Sequence, residues 1–166
     1  MTTAPIHPIL FTQRCKLDKI NLHDIDMLCD IVEDCQFRLF MPELYEVVHD
    51  VEGMHRFLLS FDTYAKEGEG YLWGIWMKSF LIGFVAIIDM SYNSTIFYAI
   101  NSKYRNKGYA KEVVAEVVEY YRTISNAPLY TEVYLSNLSS LAVLASCGFK
   151  IVGNIDNKIL LKCKKS

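Results

Sequence analysis

The sequence lacks a hydrophobic run that is long enough to cross a bilayer. The apolar stretch from Phe80 to Ile88 has about the length of a strand, whereas a membrane helix needs about 20 apolar residues. The N-terminus, MTTAPIHP, has no basic region followed by an apolar stretch, which is how a secretory signal begins. The sequence therefore predicts no membrane partner and a cytoplasmic location.

Metal-binding and disulfide patterns are also missing. The five cysteines have no C-x-x-C spacing, and the four histidines show no ligand spacing. An odd, scattered set of cysteines in a cytoplasmic chain predicts free thiols rather than disulfides or zinc. We therefore expect no metal. The cysteines are Cys15, Cys29, Cys35, Cys147 and Cys163.

An excess of positive charge is absent as well. The formal net charge is −2 at pH 7, which argues against a protein that binds nucleic acid by neutralising many phosphates. Hydrophobic residues make up 52% of the chain and aromatic residues 13%, so disorder is excluded. With 166 residues and no internal repeat, the chain is predicted to form one domain over residues 1–166.

Hydrophobic periodicity predicts alternating helices and strands. An opening strand is expected near Leu10 to Leu17, followed by a helix from about Leu22 and a second helix around Met54 to Tyr64. Three strands separated by short polar links are then predicted to form an antiparallel meander: Tyr71 to Met77, Phe80 to Asp89 and Thr95 to Ile100. Later elements are a helix around Ala110 to Tyr121, a strand at Leu129 to Leu135, a short helix from Asn137, and strands near Phe149 to Val152 and Lys158 to Lys162.

The segment from Ile96 to Glu119 carries the strongest functional signal. It runs from a strand through a cationic loop into an amphipathic helix. Gly108 lets successive backbone N–H groups point at one anion, and the helix N-terminus adds amides without partners and partial positive charge. The pattern predicts a phosphate site, and a surface turn solvated by lysines is the alternative. The loop cations are Lys103, Arg105, Lys107 and Lys111.

Two common phosphate motifs are absent from this segment. It contains neither the Walker pattern G-x-x-x-x-G-K-[ST] nor the Rossmann pattern G-x-G-x-x-G. The loop instead reads Arg105-Asn-Lys-Gly108-Tyr-Ala110, an R-x-x-G-x-A arrangement. In this motif the chain resembles the GNAT superfamily of acyl-CoA-dependent N-acetyltransferases, in which the loop holds the pyrophosphate of coenzyme A.

Two further segments extend the resemblance over almost the whole chain. Asn137 to Phe149 resembles the N-x-x-S…G-F pattern of the branch that contains ribosomal-protein N-terminal (alanine/serine) acetyltransferases. Thr12, Arg14 and Leu17 fit the opening strand of that branch, although the intervening Cys15 departs from it, as does Asp18. The resemblance implies a single α/β (α+β) domain with a mixed, mostly antiparallel sheet of about six or seven strands and about four helices, in the order βααβββαβαββ.

The resemblance also implies the ligands. Acetyl-CoA would be the co-substrate, and the acceptor would be a primary amine, either a protein N-terminal α-amine or a small-molecule amine, acetylated by direct transfer in a ternary complex. The strand before the loop is expected to separate from its neighbour and pair with the pantetheine arm. A homodimer is left open. The implied cofactor-binding residues are Tyr98, Ala99, Ile100, Asn101, Arg105, Asn106, Lys107, Gly108, Tyr109, Ala110 and Asn137.

Acetyl transfer further needs stabilisation of an oxyanion and a proton donor for the departing sulfur. Many family members use a tyrosine on the short helix, but Leu144 occupies that position here. The resemblance implies that the Ser140 hydroxyl hydrogen-bonds to the leaving sulfur or protonates it, and that Asn137 orients the cofactor or a water molecule. Both have plain alternatives, since Ser140 could bond locally in an early helical turn and Asn137 could only cap its helix.

The sequence leaves the general base open among Asp89, Tyr98, Glu132 and a water relay. An α-amine with a pKa of about 7.8 is about one-tenth neutral at pH 7, so it needs no strong base, whereas a lysine near 10.4 is neutral in about 1 in 2,500 molecules. Glu112 is interpreted as complementing the helix dipole. A non-catalytic acyl-CoA-binding or sensing module is the second hypothesis, and a nucleotide-phosphate enzyme has little support.

Acidic residues collect between the first two predicted helices, where they would attract a cationic amine or simply solvate a helix face. They are Glu33, Asp34, Glu43, Glu46, Asp50 and Glu52.

Overall fold

A computed structural model describes residues 7–164, and its central element is an eight-stranded sheet in the order β1-β2-β3-β4-β5-β6-β8-β7. Neighbouring strands are antiparallel except for β5 and β6, which run parallel. The strands are β1 Leu10–Phe11, β2 Lys16–Asp18, β3 Tyr71–Met77, β4 Phe80–Ile88, β5 Thr95–Ile100, β6 Leu129–Tyr134, β7 Lys150–Ile155 and β8 Lys158–Cys163.

Six α-helices are found within residues 7–164, and the longest, α4, has a defined cap at each end. At the N-terminus of α4, the Asp50 carboxylate accepts a hydrogen bond from Gly53 N (2.7 Å). At the C-terminus, Gly68 ends the helix by adopting a left-handed conformation with a φ of +70°. The helices are α1 Ile25–Val32, α2 Cys35–Phe40, α3 Pro42–Val48, α4 Val51–Glu67, α5 Tyr109–Ile124 and α6 Leu138–Ser146. None of these helices is both long and apolar enough to span a membrane.

Helices cover both faces of the sheet and create two hydrophobic cores. One core joins the sheet to α5 and α6, and the other joins it to α1–α4. Alternate residues of β4 enter opposite cores, with Val85 and Ile87 in the first and Phe84 and Ala86 in the second. Because β4 is buried on both sides, its sequence is a continuous apolar run rather than an alternating one.

The predicted meander is confirmed, and the bounds of β3 and β5 agree with the prediction. The opening strand predicted from Leu10 to Leu17 is wrong, because the chain turns there and forms the β1–β2 hairpin. Thr12 N donates to Cys15 O, and Cys15 N donates to Thr12 Oγ1, both at 2.9 Å. The sheet consequently has eight strands rather than about six or seven. All five cysteines are unpaired.

The acidic stretch between the first two predicted helices is itself helical, which corrects the predicted helix count of about four. The Asp34 carboxylate accepts from Phe37 N (3.3 Å) at the start of α2, and Pro42 begins α3, where its missing N–H is not needed. The element order is therefore ββααααβββαβαββ. The extent of a single domain over residues 1–166 stays a prediction.

Candidate functional site

Strands β5 and β6 diverge soon after they begin. Within residues 7–164 their parallel pairing consists of Thr95 opposite Tyr130, whereas β5 is paired with β4 over its whole length. Asn101 N donates to Ile82 O (2.8 Å), and an antiparallel ladder alternates, so the backbone groups of Tyr98 face the gap toward β6. An extended polar ligand could pair with this edge of the strand.

The loop after β5 has the backbone shape of an anion site. Asn106 and Gly108 both lie in the left-handed region, with φ values of +60° and +83°. Asparagine tolerates this region better than most residues, so Asn106 adopts a conformation that otherwise favours glycine. Helix α5 begins directly after Gly108, and its first backbone amides have no acceptor within the helix.

Arg105 fixes the loop against α2 and the end of β5. Its Nη2 forms an ion pair with Asp34, its Nη1 donates to Gln36 Oε1 (2.8 Å), and its Nε donates to Ile100 O (3.1 Å). These contacts engage all three guanidinium nitrogens. The predicted role of Arg105 in binding the cofactor stays a prediction, and in the structure its side chain shapes the loop.

The β1–β2 hairpin holds the other side of the loop. Arg14 Nε pairs with Glu112 Oε1 (2.8 Å), and Arg14 Nη1 donates to Lys107 O (2.9 Å). The Arg14 guanidinium also stacks on the ring of Tyr109, 4.0 Å from its centre, and the Thr12 hydroxyl donates to Glu112. Thr12 and Arg14 thus connect the β1–β2 hairpin to the first turn of α5, and Arg14 also connects it to the loop between β5 and α5.

Replacing Glu112 with Gln should lower the free energy of unfolding by about 1 kcal/mol at pH 7. Burial of the carboxyl opposes its charge, but hydrogen bonds from Thr12 and Arg14 outweigh this effect and lower the pKa of Glu112. Because the pKa of Glu112 is lower in the folded protein than in the unfolded chain, where it is about 4.3, its ionised carboxylate stabilises the folded state at a pH above about 4.3. This stabilisation is lost as the pH falls through the pKa of the folded protein.

Urea unfolding of the wild type and the Glu112→Gln variant at pH 7 and pH 3 checks this expectation. The stability difference should shrink at the lower pH. Glu116→Gln on the same helix is the control, and a difference that is equal at both pH values would contradict the interpretation.

A first cavity, of about 350 Å³, lies between the loop, β5, α2 and α6. Its volume is within the range of small-molecule sites, which is about 300–1,000 Å³. Most of the predicted site residues line it: Tyr98, Ala99, Ile100, Arg105, Asn106, Gly108, Tyr109, Ala110, Asn137 and Ser140. Asn101 and Lys107 do not, because Asn101 Oδ1 caps the following turn through Lys103 N (2.9 Å) and the Lys107 carbonyl accepts from Arg14.

Helix α2 supplies a wall of this cavity that sequence reasoning missed. The cavity is lined by Gln36, Phe37 and Phe40 of α2 and by Met41, which directly follows the helix. The available signal was the capping residue Asp34 followed by apolar residues three and four apart, but six residues are too few for a clear helical period.

Ser140 is held at two points inside the first cavity. Asn137 Oδ1 accepts from Ser140 N (3.3 Å), so Asn137 does cap α6, and Ser140 Oγ lies 2.7 Å from Tyr98 Oη. Burial raises the pKa of Tyr98 to about 12, although the hydrogen bond with Ser140 acts in the opposite direction. Tyr98 therefore stays protonated near neutral pH, which disfavours it as the base. Leu144, one turn further along α6, is fully buried.

A second cavity, of about 970 Å³, lies beside α3, β5, β6 and β8. Phe40 and Met41 line both cavities, so the two meet at the end of α2. The candidate bases Asp89 and Glu132 line the second cavity and not the first. No group of three or more His, Cys, Asp or Glu side chains between residues 7 and 164 is arranged to hold a metal ion.

Much of the predicted acidic surface is neutralised in the structure. Asp34 pairs with Arg105, Glu43 with Lys158 (2.9 Å) and Glu52 with Arg56 (3.1 Å). Among the carboxylates that line the second cavity, Glu43 is paired with Lys158, whereas Asp89, which directly follows β4, and Glu132 on β6 form no ion pair in the described structure.

Two parallel strands that diverge, and a loop at the divergence that leads directly into a helix, are the arrangement that the resemblance to acyl-CoA-dependent acetyltransferases implies. Residues 14–150 match the family model of the acetyltransferase (GNAT) domain, which covers most of the sequence. The chain belongs to the GNAT acetyltransferase family. A search of curated proteins found no significant sequence match.

Solved structures of ribosomal-protein acetyltransferases share this fold. The ribosomal-protein-S5-alanine acetyltransferase from Vibrio fischeri superposes with a TM-score of 0.79 at 16% identity, over 95% of this chain and 96% of that one. RimL, a ribosomal L7/L12 α-N-protein acetyltransferase in complex with coenzyme A, superposes with a TM-score of 0.80 at 11% identity, over 95% of this chain and 98% of that one. Mycobacterium smegmatis RimJ in complex with CoA-disulfide superposes with a TM-score of 0.77 at 18% identity, over 95% of this chain and 86% of that one. At these identities the similarity establishes the fold alone.

Proposed function

We propose that this protein transfers an acetyl group from acetyl-CoA to a primary amine, by direct transfer in a ternary complex. The observation that carries the proposal is that the gap beside Tyr98 and the left-handed loop at Gly108 open into the same cavity. The loop and the first amides of α5 would bind the pyrophosphate, and the exposed edge of β5 would pair with the pantetheine arm. That arrangement would bring the thioester toward Ser140.

The family neighbours support acetyl-CoA as the donor. RimL was solved with coenzyme A, RimJ with CoA-disulfide, and the microcin C7 self-immunity acetyltransferase MccE with acetyl-CoA and AMP. In this chain, Ala110 and Lys111 would contribute the helix N-terminus, and Gly108 would let the backbone approach the phosphates. No metal is needed for such a transfer, because the chemistry requires only hydrogen bonds and proton movement.

The second cavity is the proposed acceptor site, since it meets the first cavity at Phe40 and Met41. Neighbours of this fold include a ribosomal-protein-S5-alanine acetyltransferase, a ribosomal L7/L12 α-N-protein acetyltransferase and a spermidine N-acetyltransferase chimera. A protein α-amine or a small-molecule amine would therefore suit the site. Asp89 and Glu132 line this cavity and would accept a proton through water, which would suffice for an α-amine that is already partly neutral.

Release of free thiol from acetyl-CoA tests the proposal. The acceptor panel contains peptides with N-terminal alanine or serine, matched peptides with a blocked N-terminus, and polyamines. Turnover with one amine class and none with blocked peptides supports an N-acetyltransferase. Tight acetyl-CoA binding without turnover on any member would support the alternative, a non-catalytic acyl-CoA-binding module.

Replacing Glu132 with Gln should raise the KM for a cationic acceptor about threefold and leave the KM for acetyl-CoA unchanged. The exposed carboxylate attracts the amine through a solvent-screened field, so a modest effect is expected. Steady-state kinetics in low and high salt provide the measurement, and the effect should fall at high salt. Glu116→Gln, on α5, is the control. A change in kcat without a change in KM would contradict an attractive role.

A further inference from the structure

Two hydroxyl groups lie in contact inside the first cavity, one from the sheet and one from α6. Tyr98 Oη and Ser140 Oγ are 2.7 Å apart, although the residues are 42 positions apart in the sequence. Tyr98 packs against the core that joins the sheet to α5 and α6, three residues beyond the Thr95–Tyr130 pair of β5 and β6. The pair lines the same cavity as Ala99 and Ala110.

Hydrogen-bond capacity determines how such a pair is arranged. A hydroxyl has one hydrogen to donate and can accept, so only one member of the pair donates to the other. At this distance either hydroxyl can donate, and the greater acidity of the phenol favours donation from Tyr98 Oη to Ser140 Oγ. The hydrogen of Ser140 is then free to point into the cavity.

We propose that Tyr98 is a positioning residue for acetyl transfer: its phenol donates to Ser140 Oγ and so directs the Ser140 hydroxyl hydrogen toward the thioester sulfur. This inference rests on the proposed function. Asn137 fixes the backbone of Ser140 while Tyr98 fixes its hydroxyl. Leu144 is fully buried and has no hydroxyl, so the next turn of α6 offers no such donor.

In the proposed step, the amine nitrogen attacks the thioester carbonyl carbon and forms the C–N bond. The C–S bond then breaks, and its electron pair moves to sulfur, where Ser140 donates a hydrogen bond to the developing thiolate. The proton that sulfur finally takes balances the one that the attacking nitrogen loses through water. The products are the acetylated amine and free coenzyme A.

Acidity limits both hydroxyls to hydrogen bonding, because neither a phenol with a raised pKa nor a still less acidic alcohol gives up its proton readily to a thiolate. A thiol has a pKa of about 8.5, and that of Tyr98 is raised to about 12. Full transfer from the phenol to the thiolate would be unfavourable by more than about a thousandfold. The contribution of Tyr98 is therefore the geometry of the hydrogen bond that Ser140 makes.

Kinetics of Tyr98→Phe, Ser140→Ala and the double variant test the inference. We expect Tyr98→Phe to lower kcat about tenfold, the value of one well-placed hydrogen bond, with the KM for acetyl-CoA changed less than about twofold. The double variant should be no slower than Ser140→Ala, because Tyr98 acts through Ser140. A rate for Tyr98→Phe within twofold of the wild type, or fully additive losses, would overturn the inference.

The chain offers a matched control for the loss of a tyrosine hydroxyl. Tyr121 Oη donates to Ser94 Oγ (2.8 Å) in the core, outside both cavities. Tyr121→Phe therefore removes an equivalent Tyr–Ser hydrogen bond. It should lower the midpoint of thermal unfolding to an extent similar to Tyr98→Phe and leave kcat unchanged.

A measurement that needs no turnover separates this inference from the proposed function. In protein labelled with 3-fluorotyrosine, the ¹⁹F resonance that is missing from Tyr98→Phe belongs to Tyr98. It should shift in Ser140→Ala and again when acetyl-CoA is added to the wild type. Absence of turnover would refute the proposed function alone, whereas a Tyr98 resonance unaffected by Ser140→Ala would refute the hydroxyl pair.

Discussion

Replacing Ala110 with Glu should weaken the binding of acetyl-CoA by about 100-fold. Ala110 lies in the first turn of α5 and lines the first cavity, where the pyrophosphate is proposed to bind. Electrostatic repulsion between a carboxylate and a phosphate charge about 5 Å away weakens binding by about 3 kcal/mol at an effective dielectric constant of about 20. Folding should be preserved, because a glutamate in the first turn of a helix is favourable to its dipole.

Calorimetric titration with acetyl-CoA provides the measurement, at low and at high salt. Ala115→Glu is the matched control, since it places the same side chain on the exposed face of the same helix. Its dissociation constant should stay within about twofold of that of the wild type. Equal affinities for Ala110→Glu and Ala115→Glu would place the phosphates away from this helix terminus.

Replacing Asp34 with Ala should lower the free energy of unfolding by about 2–3 kcal/mol. The carboxylate caps α2 through Phe37 N, which contributes about 1 kcal/mol, and it is the ionic partner of Arg105. The two side chains are 15% and 25% exposed, so a hydrogen bond between charged groups is only partly screened here and contributes about 1.5 kcal/mol or more. A chain of this size then melts about 5–10 °C lower.

Two further variants separate the contributions of Asp34. Asp34→Asn keeps an oxygen that can cap α2 but removes the charge, so it should lose about half as much stability. Asp62→Ala removes an exposed ion pair with Lys19, whose side chains are 50% and 44% exposed, and should cost less than about 0.5 kcal/mol. Thermal and urea unfolding measure all three. A loss for Asp34→Ala no larger than that for Asp62→Ala would contradict the role assigned to the Arg105 ion pair.

The sequence predicted the elements whose signals are local and long. Strands β3 and β5 are apolar runs with polar links at their ends, and their bounds were predicted correctly. Helix α4 has regular apolar spacing from Met54 to Tyr64 and ends before Gly68, so it was predicted as a helix. Helices α2 and α3 have six and seven residues, fewer than two full turns each, and were missed. The β1–β2 hairpin was predicted as one strand because its turn has no glycine or proline.

For the candidate site, the sequence located the loop but not the residues that fix its shape. The R-x-x-G-x-A motif is local, and its residues line the first cavity except Lys107. The partners of Arg105 are Asp34 and Gln36, 71 and 69 residues away, and no spacing rule connects them. The contact of Tyr98 with Ser140 likewise joins residues 42 positions apart, which hydrophobic patterns do not encode.

The contacts that Arg14 makes with Lys107 and Glu112 determine when the loop can acquire its final form during folding. They join residues 93 and 98 positions apart, so closing them orders a long stretch of chain before any stabilisation is gained. A peptide spanning residues 96–119 would contain the motif without Arg14, Asp34 or Gln36 to brace it. The shape of the proposed anion site thus depends on tertiary contacts with two distant segments of the chain.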